Sequence, residues 1–489
     1  MSFLSLVFYP LLIGLIILYY NVPFKYRYLV LCGGSYIFYG WGNIKALPVL
    51  ILITFLSYVG GLILQKRKNR YVYIIFFVAN ILVLVFFKYS SFISNNLVQV
   101  LSLIGITYIP MFNDVLLPVG LSFYCFQATG YLNDVYRKGM TAIRNPLKYA
   151  TFISFFPTVL SGPIQRSRDF FPQINNPKCF DSENAIKGTI LFIWGFFEKN
   201  LVANNLCDIS NKIYSNYEAY NSVYYVIAAV SFSLYIYADF SAYSDMARGI
   251  AKLFGIEIKK NFCNPYLSTS LSEFWTRWHV TLNDWFVENV YIPLGGNRKG
   301  KIRKYVNMLI IFLISGLWHG ASWHFVAWGG INGALAVIGL IIKPMKDKFY
   351  NLLKVDQKLA GIVFLKQSVV FFFITLTWIL FRNDFTESAH IIKSILHFYP
   401  VQLFDLELLS ISGSVVTTFG IIITTMIFVI VQIRRQYELK YYQLFRTQPI
   451  LLQWGFLAIV LYMSIFAIAN ATTVAGNVDV GQQFIYFQF

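Results

Sequence analysis

Apolar runs of bilayer-crossing length recur along almost the whole of this chain, and they limit the fold before any motif is read. Hydrocarbon offers no water to satisfy backbone N–H and C=O groups, so only helices and closed barrels can span it. Runs at about 3–20, 28–41, 46–64, 71–87 and 115–135 approach the ~20 residues a spanning helix needs, and the shorter ones imply tilted or incomplete spans. Runs at about 186–203, 222–247, 367–381, 413–433 and 451–470, with two more flanking His319, bring the expected total to roughly 12 crossings. The run 149–163 ends in Phe156-Pro157-Thr158-Val159-Leu160-Ser161-Gly162-Pro163, and its two prolines and glycine suit a broken or re-entrant segment. Hydrophobic residues make up 57% of the 489 and charged ones 13%, where a soluble chain carries roughly 25% charged residues. The expected fold is therefore all-α: a polytopic integral membrane protein with re-entrant and interfacial helices. Residues 1–489 are expected to form a single membrane domain, with 471–489 as a C-terminal tail. The opening run has neither a basic lead-in nor a small-residue cleavage pattern, so it reads as a retained span.

The formal charge is +18, yet the basic residues fall in short clusters between apolar runs, which is the pattern of cytoplasmic loops and not of a nucleic-acid surface. Gln65-Lys66-Arg67-Lys68-Asn69-Arg70 is the clearest such loop and puts the N-terminus outside. Arg137-Lys138, Arg248 with Lys252, Lys259-Lys260 and Arg434-Arg435 then fall inside, the block 262–304 stays at the cytoplasmic side, and the tail ends outside. The five cysteines have no paired spacing for a metal or a disulfide framework and read as structural.

Within this apolar chain His319 stands out. It lies in Ile314-Ser315-Gly316-Leu317-Trp318-His319-Gly320-Ala321-Ser322-Trp323, and ionisable groups at membrane depth are costly, rare and by default functional. A helix running from Lys304 carries it ~22 Å inward at 1.5 Å per residue. The alternative is an imidazole satisfied by a helix carbonyl that packs two spans together. A second block holds Glu273-Phe274-Trp275-Thr276-Arg277-Trp278-His279-Val280-Thr281-Leu282-Asn283-Asp284-Trp285. Its apolar residues recur at three- to four-residue steps, predicting one amphipathic helix whose tryptophans settle at the headgroup boundary. His279 would then stand near the cytoplasmic entrance, in a functional role or hydrogen-bonded to a headgroup or backbone. His324 would face elsewhere on the His319 helix, and His390 and His397 fall in an expected outer-face loop; none is given a role. Asp239 and Asp245 could bind a metal or relay protons, but no third ligand stands near them. Helix packing and hydrogen bonding, or a lining role along a donor path, fit them better, and no metal is expected. Ile292-Pro293-Leu294-Gly295-Gly296-Asn297-Arg298-Lys299 reads either as a phosphate cradle or as a plain turn with positive-inside charges.

Arg277-Trp278-His279, Ile292-Pro293-Leu294-Gly295-Gly296-Asn297-Arg298 and Trp318-His319-Gly320-Ala321-Ser322-Trp323 together resemble the membrane-bound O-acyltransferases. The resemblance extends to Phe126-Gln127-Ala128-Thr129-Gly130-Tyr131-Leu132-Asn133-Asp134-Val135-Tyr136-Arg137, Ser161-Gly162-Pro163-Ile164-Gln165-Arg166 and Asp239-Phe240-Ser241-Ala242-Tyr243-Ser244-Asp245. Within that family the chain is similar to the bacterial branch of alginate and peptidoglycan O-acetyltransferase membrane subunits. It departs at Val287, where relatives show a charged pair, and at Glu198-Lys199, where a Lys-Lys pair is common. The resemblance implies helices around a central tunnel, His319 as the catalytic histidine and His279 as the second functional position. Trp275, Arg277, Asn283 and Trp318 are expected to meet the donor.

Acyl transfer from a thioester to a hydroxyl needs a base for the hydroxyl proton, and histidine has the right affinity for it near neutral pH. Acetyl-CoA is the expected donor substrate, and no cofactor is expected to be resident. The chain ends in Phe484-Ile485-Tyr486-Phe487-Gln488-Phe489, either a sticky interfacial tail or an acyl carrier. In the related teichoic acid D-alanylation system a partner peptide with a nearly identical ending is proposed to carry the acyl group on its tyrosine, which points by resemblance to Tyr486. The expected setting is a bacterial cytoplasmic membrane, with an extracytoplasmic esterase-like partner completing transfer to a cell-envelope glycan. The rival expectation is a transporter or flippase of a glycan or lipid that does no acyl chemistry.

Overall fold

The computed structural model describes residues 1–106, 115–397, 399, 405–434, 447–455, 458 and 462. Among these residues there are helices and no strand. Two compact units emerge: residues 1–192 with 246–259, and residues 193–245 with 260 onward. The first unit is built from α1 (Phe8–Asn21), α2 (Arg27–Gly42), α3 (Leu47–Lys66), α4 (Arg70–Leu103), α5 (Leu121–Lys138), α6 (Pro146–Ser154), α7 (Ser167–Asn175) and the start of α8 (Ser182–Phe197). The second holds α9 (Asn204–Tyr214), most of α10 (Ser222–Leu253), α11 (Leu271–Arg277), α12 (Val280–Phe286), α13 (Gly300–His319), α14 (Trp323–Leu352), α15 (Ala360–Arg382), α16 (Phe385–Leu396) and α17 (Val415–Arg434).

Six of the described helices are long and apolar enough to cross a membrane: α3 counted from Ile44, α4, α10, α14, α15 and α17. Several other apolar runs fold into shorter pieces. The run at 28–41 becomes the 16-residue α2 and that at 115–135 the 18-residue α5. The run at 149–163 gives only the end of α6, and the chain leaves helix after Ser154, before the two prolines. A proline has no N–H to give and disfavours helix in the residue ahead of it.

In the first unit two of the motifs that carry the family resemblance hold each other. Asp134, buried in α5, accepts a hydrogen bond from Ser167 Oγ at 2.7 Å and pairs with Lys138 Nζ at 3.1 Å. Ser167 directly follows the Ser161–Arg166 turn, so the motif on α5 anchors the end of that turn.

The second unit is organised by the hairpin of α13 and α14. A Cβ added to Gly316 would lie 2.2 Å from the Phe325 carbonyl oxygen, and one added to Gly329 would lie 2.2 Å from the carbonyl oxygen of Phe312. Small residues at such crossings let two backbones meet, a main source of helix association where burial from water is not available. A Gly329→Val variant is therefore expected to lose most folded protein on size-exclusion chromatography in detergent. Gly339→Ala on the same helix, where a Cβ meets nothing within 4 Å, is expected to match the parent.

Candidate active site

His319 is the last residue of α13, which runs unbroken from Gly300. The residue after it has to be glycine, since a Cβ on Gly320 would sit 2.1 Å from the Phe325 ring. His324 lies on α14, not on a continuation of the His319 helix. Aromatic rings enclose the His319 imidazole, which is 4% exposed. Ring centroids stand 4.8 Å away for Trp318, 5.2 Å for Trp328 on α14 and 5.3 Å for Phe381 on α15.

The second histidine sits where the expected single helix breaks. α11 ends at Arg277, α12 begins at Val280, and His279 between them is left-handed at φ 43°, ψ 53°. That conformation costs an L-residue about 1–2 kcal/mol and persists where its surroundings dictate it. Asn261 does so here. Its carbonyl accepts the Val280 N–H at 2.9 Å, its Oδ1 accepts Thr281 Oγ1–H at 2.6 Å, and its Nδ2 donates to Ser244 Oγ at 3.2 Å. The turn presses the His279 ring against Phe240 at 4.7 Å and Trp318 at 6.0 Å. Both imidazoles therefore flank one indole. Periodicity placed His279 on one continuous amphipathic helix; the kink instead turns it into the protein, to 2% exposure. Burial also pushes its pKa down to about 3, so the ring is neutral.

The family model of the membrane-bound O-acyltransferases matches residues 141–382, a stretch that includes both histidines. A probable alginate O-acetylase of Azotobacter vinelandii is 32% identical over 78% of this chain and 74% of its own length. The chain belongs to the membrane-bound O-acyltransferase family. A peptidoglycan O-acetyltransferase of Helicobacter pylori is likewise 32% identical, over 76% of this chain and 73% of its own. A teichoic acid D-alanyltransferase of Streptococcus thermophilus is 29% identical over 50% of this chain and 61% of its own.

In this multi-pass membrane O-acyltransferase the tryptophans assigned to the headgroup boundary form part of the core. Trp278 and Trp285 are buried. Trp275 packs on Phe312, Trp328 and Trp378, with centroids 5.5, 5.6 and 6.3 Å away. The cause is the same break, which lets α11 turn its aromatic face onto α13, α14 and α15. Of the other residues assigned to the donor, Trp318 lies between the histidines and Asn283 is half-buried in the first turn of α12. Arg277 is ion-paired with Glu273 at 2.6 Å. Tyr486 lies outside the described residues. His390 belongs to α16 and His397 closes it, where a loop was expected. In the Ile292–Lys299 segment the Gly295 and Gly296 amides donate to the Ile292 and Tyr291 carbonyls, and Asn307 Nδ2 donates to the Gly296 carbonyl. Those amides are engaged within the turn, which favours the plain-turn reading.

Sequence reading passed over one buried network in the acyltransferase. Glu198 to Ala203 form a π-helical turn after α8, a distortion often found at functional sites. Lys199 Nζ meets Asp239 Oδ1 at 2.6 Å, with both side chains at most 1% exposed. Glu198 accepts from Ser241 Oγ and from Gln432 Nε2, each at 2.8 Å, and Tyr237 donates to Gln432 Oε1 at 3.0 Å. The signal was the Glu-Lys pair at the end of an apolar run, four decades of residues before Asp239. Of the two readings left open for Asp239, this pairing supports packing and hydrogen bonding.

Proposed function

We propose that this acyltransferase moves an acetyl group from cytoplasmic acetyl-CoA across a bacterial cytoplasmic membrane for O-acetylation of a cell-envelope polysaccharide, with His319 as the general base. The observation that carries this reading is the buried His319 imidazole in an aromatic cage at the end of α13, one indole away from His279. An acceptor hydroxyl oxygen attacks the thioester carbonyl carbon while His319 takes its proton. The C–S bond then breaks, and the departing thiolate receives the proton as free coenzyme A. The imidazolium formed in between sits at the C-terminus of α13, whose negative pole favours a cation by about 0.3–1 kcal/mol. Enclosure by Trp318, Trp328 and Phe381 keeps water from competing for the thioester.

His279, Trp318, Trp275, Arg277 and Asn283 are proposed to line the donor's approach. The acceptor is either Tyr486 or a hydroxyl reached from outside. A phenol of pKa ~10 is a weak nucleophile unaided, so either route needs the base. The relatives named for alginate, peptidoglycan and teichoic acid support an envelope glycan as the final acceptor. An extracytoplasmic esterase-like partner completes the transfer. The test is to give the purified protein acetyl-labelled coenzyme A: label on protein or acceptor with release of free coenzyme A is expected. Intact donor throughout, in a preparation that moves a glycan or lipid, would replace the enzyme with a transporter.

A further inference from the structure

The buried Nε1–H of Trp328, whose ring meets that of His319, has no hydrogen-bond partner among the described residues, and neither has that of Trp275, whose ring meets Trp328. An unmet buried donor costs about 1–3 kcal/mol, and such groups in folded proteins call for an explanation. Their neighbour shows that a partner can be found in this cluster. Trp378 stacks on Trp328 with centroids 5.4 Å apart and planes 21° apart, and its Nε1 donates to Tyr266 Oη at 3.2 Å. Tyr266 in turn donates to the Ser233 carbonyl at 2.6 Å. Two stacked indoles in one cluster thus differ, and the orphan is the one against the histidine. Trp328 is 1% exposed, and its ring meets that of His319 at 5.2 Å and 88°.

The chemistry proposed for His319 creates a need for such a donor. When the hydroxyl oxygen attacks, the carbonyl electron pair moves onto oxygen. The resulting oxyanion persists until it collapses and expels the thiolate. A fixed donor in a site closed to water stabilises that charge without reorganising during the reaction. A group held ready for an oxyanion is left unsatisfied in the absence of substrate, which is the state of Trp328.

We propose that the Trp328 indole N–H is the oxyanion donor of the acyl transfer, a catalytic residue alongside His319. The proposal rests on the reading of His319 as the base. Trp275 is the lesser donor, one ring further from the imidazole at 5.6 Å from Trp328.

Trp328→Phe keeps an aromatic ring but removes the pyrrole part of the indole with its N–H, leaving a small cavity at a buried position. With acetyl-CoA as the probe and full-length protein in detergent or vesicles, kcat for coenzyme A release is expected to fall roughly 10²–10³-fold. KM for acetyl-CoA should move little, because the interaction is made in the transition state. The thermal midpoint should fall modestly because of that cavity, so kcat is normalised to folded protein. Trp275→Phe should lose less. A parent-like kcat per folded Trp328→Phe protein overturns the proposal, as does a loss carried by KM rather than kcat, or a larger loss in Trp275→Phe. An active His319→Ala variant would instead remove the base, and that result is read independently of the tryptophan variants.

Discussion

A His319→Ala variant is expected to lose acyl transfer by roughly 10²–10⁴-fold, the contribution of a positioned general acid–base. It should remain inserted and monodisperse. The two expectations are separable because the rings around it also contact one another or other rings: Trp328 meets Phe381 at 5.0 Å and Trp378 at 5.4 Å. The cage therefore has support that does not pass through the imidazole. A cavity the size of the lost ring costs stability, on the order of 2–5 kcal/mol for a large-to-small core change, so activity is normalised to folded protein. Retained transfer in a well-folded variant would remove His319 from the chemistry.

The second large effect falls on stability. Lys199→Met removes the lysine charge from the buried Asp239 carboxylate, and breaking such a pair costs about 3–5 kcal/mol. Replacing both partners, as Lys199→Met with Asp239→Asn, removes both charges and should recover most of the loss. The pair's value is thus read from the difference between single and double variants in thermal unfolding in detergent. A single variant as stable as the parent would show that the ion pair does not hold the π turn at Glu198–Ala203 in place.

The sequence made the class of fold legible because lipid leaves so few backbone solutions: apolar runs at bilayer length could only become helices. The prolines in 156–163 marked the end of α6 for the same local reason. His319 was legible as a site because an ionisable group is conspicuous among Ile, Leu and Trp. The break at His279 was not legible. Phe274, Trp278, Leu282 and Trp285 keep helical spacing across it, and the left-handed turn is imposed by Asn261, which lies far enough upstream that periodicity carries no trace of the contact. Two errors about that block follow from this one tertiary override: the single unbroken helix, and the exposure of Trp278 and Trp285 at a headgroup boundary. The Lys199–Asp239 pair was missed because forty positions separate its members, and only the packing of α10 on the π turn brings them together.

In the proposed mechanism a buried base lets an acyl group cross the membrane as an ester while coenzyme A stays behind. Oriented proteoliposomes given acetyl-labelled coenzyme A on the cytoplasmic side alone measure this directly. The expected result is label esterified to a hydroxyl on the far side, free coenzyme A on the near side, and neither in the His319→Ala protein. Intact labelled acetyl-CoA on the far side, or ester formed equally well without His319, would contradict it.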